Sequence, residues 1–429
     1  MYGLRRYWYL PIICLGFALG LLSACGSGSY LSEIGISGNG LTALDSYVDG
    51  QVKSGRIHGA VLLMARNGHV AELQSYGLMD VANKVAMRND TLFRAASISK
   101  VASVVGALTL VDSGKLGLDD PVSKYLPEFS ASRVLTSPAR NPDGSWQTTT
   151  ATRPITVRDL FRHTAGLQYG FGLNDLDNEY FQFANAWQAP LSDFIGKIAV
   201  LPLAYQPGTQ FSYSYSIDVL GRVIEVVSGK TLDVFLDEKV FRPLFMVDTA
   251  FYAPAGKVGR FSNFYASPDG SLVLKETAAA SEFLVRPIGL SAGGGWATGY
   301  GGLVTTAPDF GRLLQMLLNK GELEGARILK PGTVDEMIKN QLLGIDRSTF
   351  FPPLPGGYGL GIGLEERADA PGKPLIFWGG APYNTSFFAD FRTGQYAIFL
   401  TQSGPWDKLY QPGGLHVEFR ALALASVIQ

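Results

Sequence analysis

An α+β fold is what this sequence predicts: one antiparallel sheet assembled from both ends of the chain, flanked by helices, with a mostly helical domain inserted between the two halves. Two observations carry that expectation. Strand-like runs with tight-turn signals occur near residue 60 and again after residue 357, whereas from about residue 121 to 285 the signals are helices and loops. A third is bulk: 429 residues at 46% hydrophobic can bury a core of that size.

The elements follow in chain order. Residues 1–25 open with the basic "MYGLRRYW", continue as the apolar "YLPIICLGFALGLL" and end in "LSAC". That run is shorter than the roughly 20 residues a bilayer needs, so it reads as a secretory signal. Residues 26–40, "GSGSYLSEIGISGNG", read as a flexible tether. Leu41, Leu44, Tyr47, Val48 and Val52 share one face of a helix. "GAVLLMARNGHVAELQSYG" gives two strands around the Asn67-Gly68 turn. A helix from about Ile98 to Ser113 stops at Gly114 and is apolar or small on almost every face, which predicts central burial. "TSPARNPDGSWQTTTATRP" reads as a floppy insert. Later come the helix "APDFGRLLQMLLNKG", the strands "YGLGIGL", "TSFFADF" and "YAIFLTQ", with the turn "RTGQ" between the last two, and a closing helix "HVEFRALALASV".

Net charge is −1, charged residues make up 17%, and there is no basic run, so nothing asks for nucleic acid or an anionic surface. The four histidines stand singly, none in a metal-ligand spacing, so no metal and no cofactor is expected. Of the two cysteines, Cys14 would leave with the signal, so the mature chain has no disulfide and must rely on its core.

Three stretches could carry chemistry. In "FRAASISK", Ser97 and Lys100 lie three residues apart, which on a helix places both side chains on one face. A serine hydroxyl needs a base, and a lysine sunk in an apolar helix is biased toward the neutral amine that can serve. At a helix N-terminus the free backbone N–H groups also favour a developing oxyanion. The competing reading is Ser97 as a helix cap with Lys100 reaching to solvent, and Ser-x-x-Lys arises about once by chance in a chain like this. In "PGTQFSYSYSIDVLGRVIEVVSG", Tyr213 near a cation could lose its proton and act as a base, or both tyrosines could simply be core. In "IFWGGAPYNTSFFADF", Gly379 and Gly380 would let a backbone approach a ligand closely, or mark a strand bend.

Taken together, Ser-x-x-Lys, Tyr-Ser-x and Trp-Gly-Gly, in that order, resemble the serine β-lactamase and penicillin-binding-protein superfamily, and most of all its esterase branch, the family VIII carboxylesterases. "DLFRHTAGLQYGFG", "YSYSIDVLGRVIE" and "GGLVTTAPDFGRLLQMLLNKGEL" look like segments of that family, so the resemblance runs from about residue 41 to 429. It implies a β-lactamase/transpeptidase-like domain over 41–429, its α/β part at about 41–120 and 286–429 and its helical part at about 121–285. It also implies an acyl-enzyme on Ser97 with Lys100 as partner and Tyr213 as the base that relays the proton to the leaving group. The backbone N–H groups of Ser97 and Ala381 would form an oxyanion hole, a device commonly contributing about 3–4 kcal/mol per donor. Trp378, Gly379 and Gly380 would line the strand beside it. Tyr215, Tyr169 and Phe171 would wall the pocket.

The leader resembles that of a bacterial lipoprotein, which would make Cys25 a lipidated first residue and place the protein, exported, on a membrane facing the periplasm or exterior. Two departures bear on substrate. Tyr215 stands where penicillin-recognising members carry Asn, and Trp378 where they carry a Lys that holds the substrate carboxylate. Both point to small neutral esters, with no protein partner. A D-amino-acid peptidase, amidase or weak β-lactamase is the alternative, and a silent penicillin-binding-like module a third reading, opposed by the joint presence of Ser97, Lys100 and Tyr213. "GLSAG" around Ser291 matches a nucleophile elbow but lacks the strand, the helix and a downstream acid–histidine pair, with only His416 left. His163 reads as a hydrogen-bonded structural residue. Asp218 reads as support for the helix after the tyrosine motif.

Overall fold

The computed structural model describes residues 27–170, 174–182, 190–253, 255–267, 271–278, 302–348, 356–405 and 413–428. Its chain begins with α1 (Ser27–Glu33), α2 (Gly38–Lys53), β1 (Gly59–Arg66), β2 (His69–Asp80) and β3 (Val85–Ala86), followed by α3 (Ser99–Asp112) and, further on, α4 (Ser216–Ser228). The C-terminal third supplies α5 (Ala307–Leu318), β4 (Gly357–Tyr358), β5 (Gly363–Glu365), β6 (Leu375–Gly380), β7 (Thr385–Asp390), β8 (Gln395–Thr401) and α6 (Leu415–Ala425).

Eight strands form one sheet in the order β4-β5-β6-β7-β8-β1-β2-β3, and its pairs are antiparallel. The first and last thirds of the chain therefore meet at β1 and β8, where Leu62 pairs with Phe399. Strand periodicity divides β1 between two cores: Val61, Leu63 and Ala65 face one, while Ala60, Leu62 and Met64 face the other, packed with residues of α2 and α6. Burial on both faces explains why β1 and β8 read as near-continuous apolar runs. The Asn67-Gly68 turn joins β1 to β2 with φ of 50° and 83°, the left-handed pair that a two-residue hairpin requires.

α3 is buried almost throughout, with Lys100 to Leu108 all enclosed. α4 packs across it, and so does Gly361, whose Cβ, were there one, would lie 2.2 Å from Val104 Cγ2. Gly361 also donates its N–H to Phe161 O at 2.8 Å and has φ of +73°.

Two expectations change. The stretch expected to be a floppy insert is a β-hairpin, Arg133–Arg140 paired with Trp146–Thr150. The turn is closed by Asn141 and Ser145, and the Arg133 guanidinium lies on Thr148 and Thr150. Trp146 and the threonine run supply the strand preference that Pro138 and Pro142 mask. The expected tether contains α1 and the start of α2, because Leu31, Ile34 and Ile36 find apolar partners and Ile36 bridges to Val427.

Gly361 and Gly372 test what close packing behind α3 contributes, since both have φ near +74° but only Gly372 has open space around it. Gly372→Ala should cost only the left-handed penalty, ~1 kcal/mol. Gly361→Ala should cost at least ~2 kcal/mol more through overpacking. Denaturant midpoints measure both, and equal losses would contradict the contact.

Candidate active site

The chain enters the site under strain. Ala96 has φ of +50°, a conformation costly for a residue with a Cβ and kept only where its surroundings enforce it. Ala96–Ile98 form a single 3-10 turn, and α3 begins only at Ser99. Ser97 is therefore not the cap of α3, as the sequence suggested: no side chain caps that helix, and Ser97 sits within the tight turn feeding into it.

Several contacts enforce the turn. Ala95 N–H donates to Leu303 O at 2.8 Å, and Leu303 N–H donates to Ser99 Oγ at 2.9 Å. Thr385 Oγ1 donates to Ala95 O at 3.0 Å from β7. Its pairing partner Gly380, at the end of β6, leaves no room for a side chain, since a Cβ would lie 2.7 Å from Ala95 O and 3.1 Å from Ala96 Cβ. That close approach lays Gly379 and Gly380, the end of β6, alongside the turn that holds Ser97, and Ala381 follows directly. Sequence reasoning missed the anchor beneath it, Arg94. Its buried guanidinium bonds Gln402 Oε1 at 3.1 Å, Ser262 O at 3.0 Å and Glu276 at 2.7 Å, and the Gln402 amide bonds back to Arg94 O and N.

Lys100, the second residue of α3, is 1% exposed, with Nζ 3.3 Å from Ser97 Oγ and 3.4 Å from the Tyr169 hydroxyl. The Tyr213 ring centroid lies 4.5 Å from the same nitrogen. Reaching for solvent is therefore excluded. An ammonium so placed loses its water, and burial lowers the Lys100 pKa to about 7, partly opposed by the Asp218 carboxylate. Asp218, buried in the first turn of α4, thus acts on the site and not only on its own helix. The signal for it was its place five residues after Tyr213, read there only as helix support.

Tyr213 is 7% exposed, and its hydroxyl interacts with Ser97 and Trp378. Burial pushes the phenol above its ordinary range, Ser97 and Trp378 oppose the rise, and Asp218 adds to it. Burial works against a tyrosinate at Tyr213, and the neighbouring lysine, itself desolvated toward neutrality, lends it little support. The pKa directions favour Lys100 over Tyr213 as the group able to accept a proton near neutral pH.

Aromatic rings enclose the pair. Trp378 lies 5.3 Å from Tyr213 and 5.5 Å from Tyr358, while Tyr169 stacks on Tyr215 at 4.6 Å. Tyr358, in β4, had been read only as part of a strand. Phe171, Ser291 and Cys25 lie outside the described residues. His416 is on α6 with Nε2 3.3 Å from Asn384 Oδ1, and His163 is buried and hydrogen-bonded to Ser214. Among the described residues no group of His, Cys, Asp and Glu side chains could hold a metal.

Comparison with known proteins completes the description. The family model described as Beta-lactamase matches residues 44–417. Protein Rv1367c of Mycobacterium tuberculosis is 32% identical over 363 residues, covering 82% of this chain and 87% of the relative. Esterase EstB of Burkholderia gladioli is 30% identical over 376 residues, covering 84% and 90%. Among solved structures, EstCE1, described as a hydrolase with promiscuous acyltransferase activity, superposes with a TM-score of 0.70 at 26% identity, covering 91% of this chain and 99% of its own.

Lysine labelled with ¹³C at Cε should reveal one residue titrating near pH 7, assigned to Lys100 by its loss in Lys100→Met, against an ordinary lysine near ~10.4. Asp218→Asn should move that midpoint lower, because the carboxylate supports the charged amine. A midpoint above ~9 would contradict the desolvation.

Proposed function

The chain belongs to the Beta-lactamase family and is a serine hydrolase, and from that premise we propose that it cleaves small, largely uncharged esters through an acyl-enzyme on Ser97. The carrying observation is the buried Lys100 amine 3.3 Å from Ser97 Oγ, with its pKa lowered to about 7. As free amine, Lys100 takes the hydroxyl proton while Oγ attacks the acyl carbon. The oxyanion is received by the backbone N–H groups of Ser97 and Ala381, a reading supported by the close approach that Gly380 allows between the end of β6 and the Ala95-Ala96 backbone. As the tetrahedral adduct collapses, the alcohol leaves with the Tyr213 hydroxyl proton, and the Lys100 ammonium restores it. Water then attacks the acyl-enzyme, giving up a proton by the same route, and Ser97 is released with the acid.

Trp378 supports the choice of substrate. It stands on β6 beside the turn that holds Ser97, its ring 5.3 Å from that of Tyr213. It offers the incoming acyl group an apolar ring and no cation. A β-lactam or a D-amino-acid peptide brings a carboxylate, and burying that charge without a partner costs several kcal/mol. The esterase and hydrolase names of EstB and EstCE1 point the same way.

Short-chain p-nitrophenyl esters should be hydrolysed at least ~10³-fold more efficiently than benzylpenicillin, about 4 kcal/mol in the transition state. Trp378→Lys should narrow that ratio. A benzylpenicillin kcat/KM equal to the ester value would favour the peptidase or β-lactamase reading.

We also propose that Cys25 carries lipid and holds the protein on the outer side of a bacterial membrane, on the strength of the sequence Leu22-Ser23-Ala24-Cys25. Cys25→Ser should abolish incorporation of labelled fatty acid and leave kcat unchanged. Label retained in that variant would contradict the anchor.

A further inference from the structure

We propose that His163 is the positioning residue for Tyr213, gripping the chain on both sides of that tyrosine and so fixing where its hydroxyl lies. The proposal rests on the reading of Tyr213 as the proton relay. Ser212 N–H donates to His163 O at 2.9 Å, and Ser214 N–H donates to His163 Nδ1 at 3.2 Å. The residues immediately before and after Tyr213 are thus held by one residue, whose imidazole also lies against the tyrosine ring at 4.7 Å between centroids. Gly208 N–H to Thr164 O and Tyr215 N–H to Gln168 O extend the contact, so 163–168 runs as a rail beside 208–215.

The grip is built, not incidental. His163 is 0% exposed and adopts φ of +55°, a conformation that only an enforcing environment sustains. With Nδ1 accepting from a backbone amide, the neutral ring carries its hydrogen on Nε2. Burial, and then the nearby Lys100, holds its pKa well below the ordinary value, so Nδ1 remains an acceptor wherever the enzyme works. Nδ1 also lies 3.3 Å from Ser214 Oγ, itself 2.8 Å from Ser216 Oγ at the start of α4. Occupied in this way, the imidazole is not available to take a proton from substrate. Its effect must run through Tyr213, and a displacement of about 1 Å in a catalytic group can cost on the order of 10²-fold.

The test compares His163→Asn with His163→Gln. Asparagine places an amide oxygen where Nδ1 stood and tolerates positive φ, whereas glutamine carries the same group one bond too far. Each variant is assayed for kcat/KM on p-nitrophenyl butyrate, whose leaving group departs as a stable anion, and on ethyl butyrate, whose alkoxide must be protonated as it leaves. His163→Gln should lose ~10²-fold on the ethyl ester and no more than ~10-fold on the p-nitrophenyl ester, while His163→Asn stays within ~5-fold on both. The ratio between substrates is independent of how much protein is folded, so partial unfolding cannot imitate the result. Tyr213→Phe is the reference: selective loss on the ethyl ester supports the relay, and its absence overturns the relay reading and this proposal together. If Tyr213→Phe shows the selective loss but His163→Gln reduces both esters equally, or neither, His163 is structural only and the inference fails.

Discussion

Everything in this site depends on one desolvated amine. Lys100 is enclosed by α3, by the α4 segment and by the Tyr169 and Tyr213 rings, and the ammonium form has lost its water there. Born-type desolvation of a cation costs several kcal/mol even in a relaxed protein interior, enough to bring a lysine into the neutral range. The same burial sets Tyr213 the other way, toward the protonated phenol. Two groups that would titrate close together in water are thus pushed apart in opposite directions, one into a base and the other into a proton donor.

Holding that amine against Ser97 requires a backbone that would not adopt its shape alone. The positive φ of Ala96 is sustained by hydrogen bonds from Leu303 and Thr385, by the close approach of Gly380, and by Arg94 below. These anchors come from β7, β6, the end of β8 and the loop at Ser262, so the nucleophile turn is fixed where the two ends of the chain meet. Assembling the sheet from both termini is what makes this possible: the turn leading into α3 follows the N-terminal strands and packs against the C-terminal β6 and β7.

Much of this was legible in the sequence, for local reasons. Asn67-Gly68 demands a hairpin turn, and the all-apolar faces of α3 demand central burial, which already implies a buried Lys100. Ser97, Lys100, Tyr213 and Trp378 are brought together from the three stretches that drew notice. What escaped were properties set by long-range packing. Asp218 reaches Lys100 only because α4 lies across α3, Arg94 finds Gln402 from 308 residues away, and Tyr358 closes the aromatic wall from a two-residue strand. The direction of the Tyr213 pKa was likewise hidden, because it depends on whether the adjacent lysine stays charged. The 133–150 hairpin was obscured locally, by prolines inside and beside an otherwise strand-forming run.

The measurement that bears most directly on the central claim is the site and pH dependence of covalent capture. A fluorophosphonate should add one equivalent to the protein, and tryptic cleavage after Arg94 and Lys100 isolates residues 95–100, where fragmentation separates Ser97 from Ser99. The account predicts an adduct on Ser97 whose rate of formation rises with pH through about 7, the value to which burial lowers Lys100. An adduct on Ser291, labelling that persists in Ser97→Ala, or a rate that climbs only through the ordinary lysine range would contradict it.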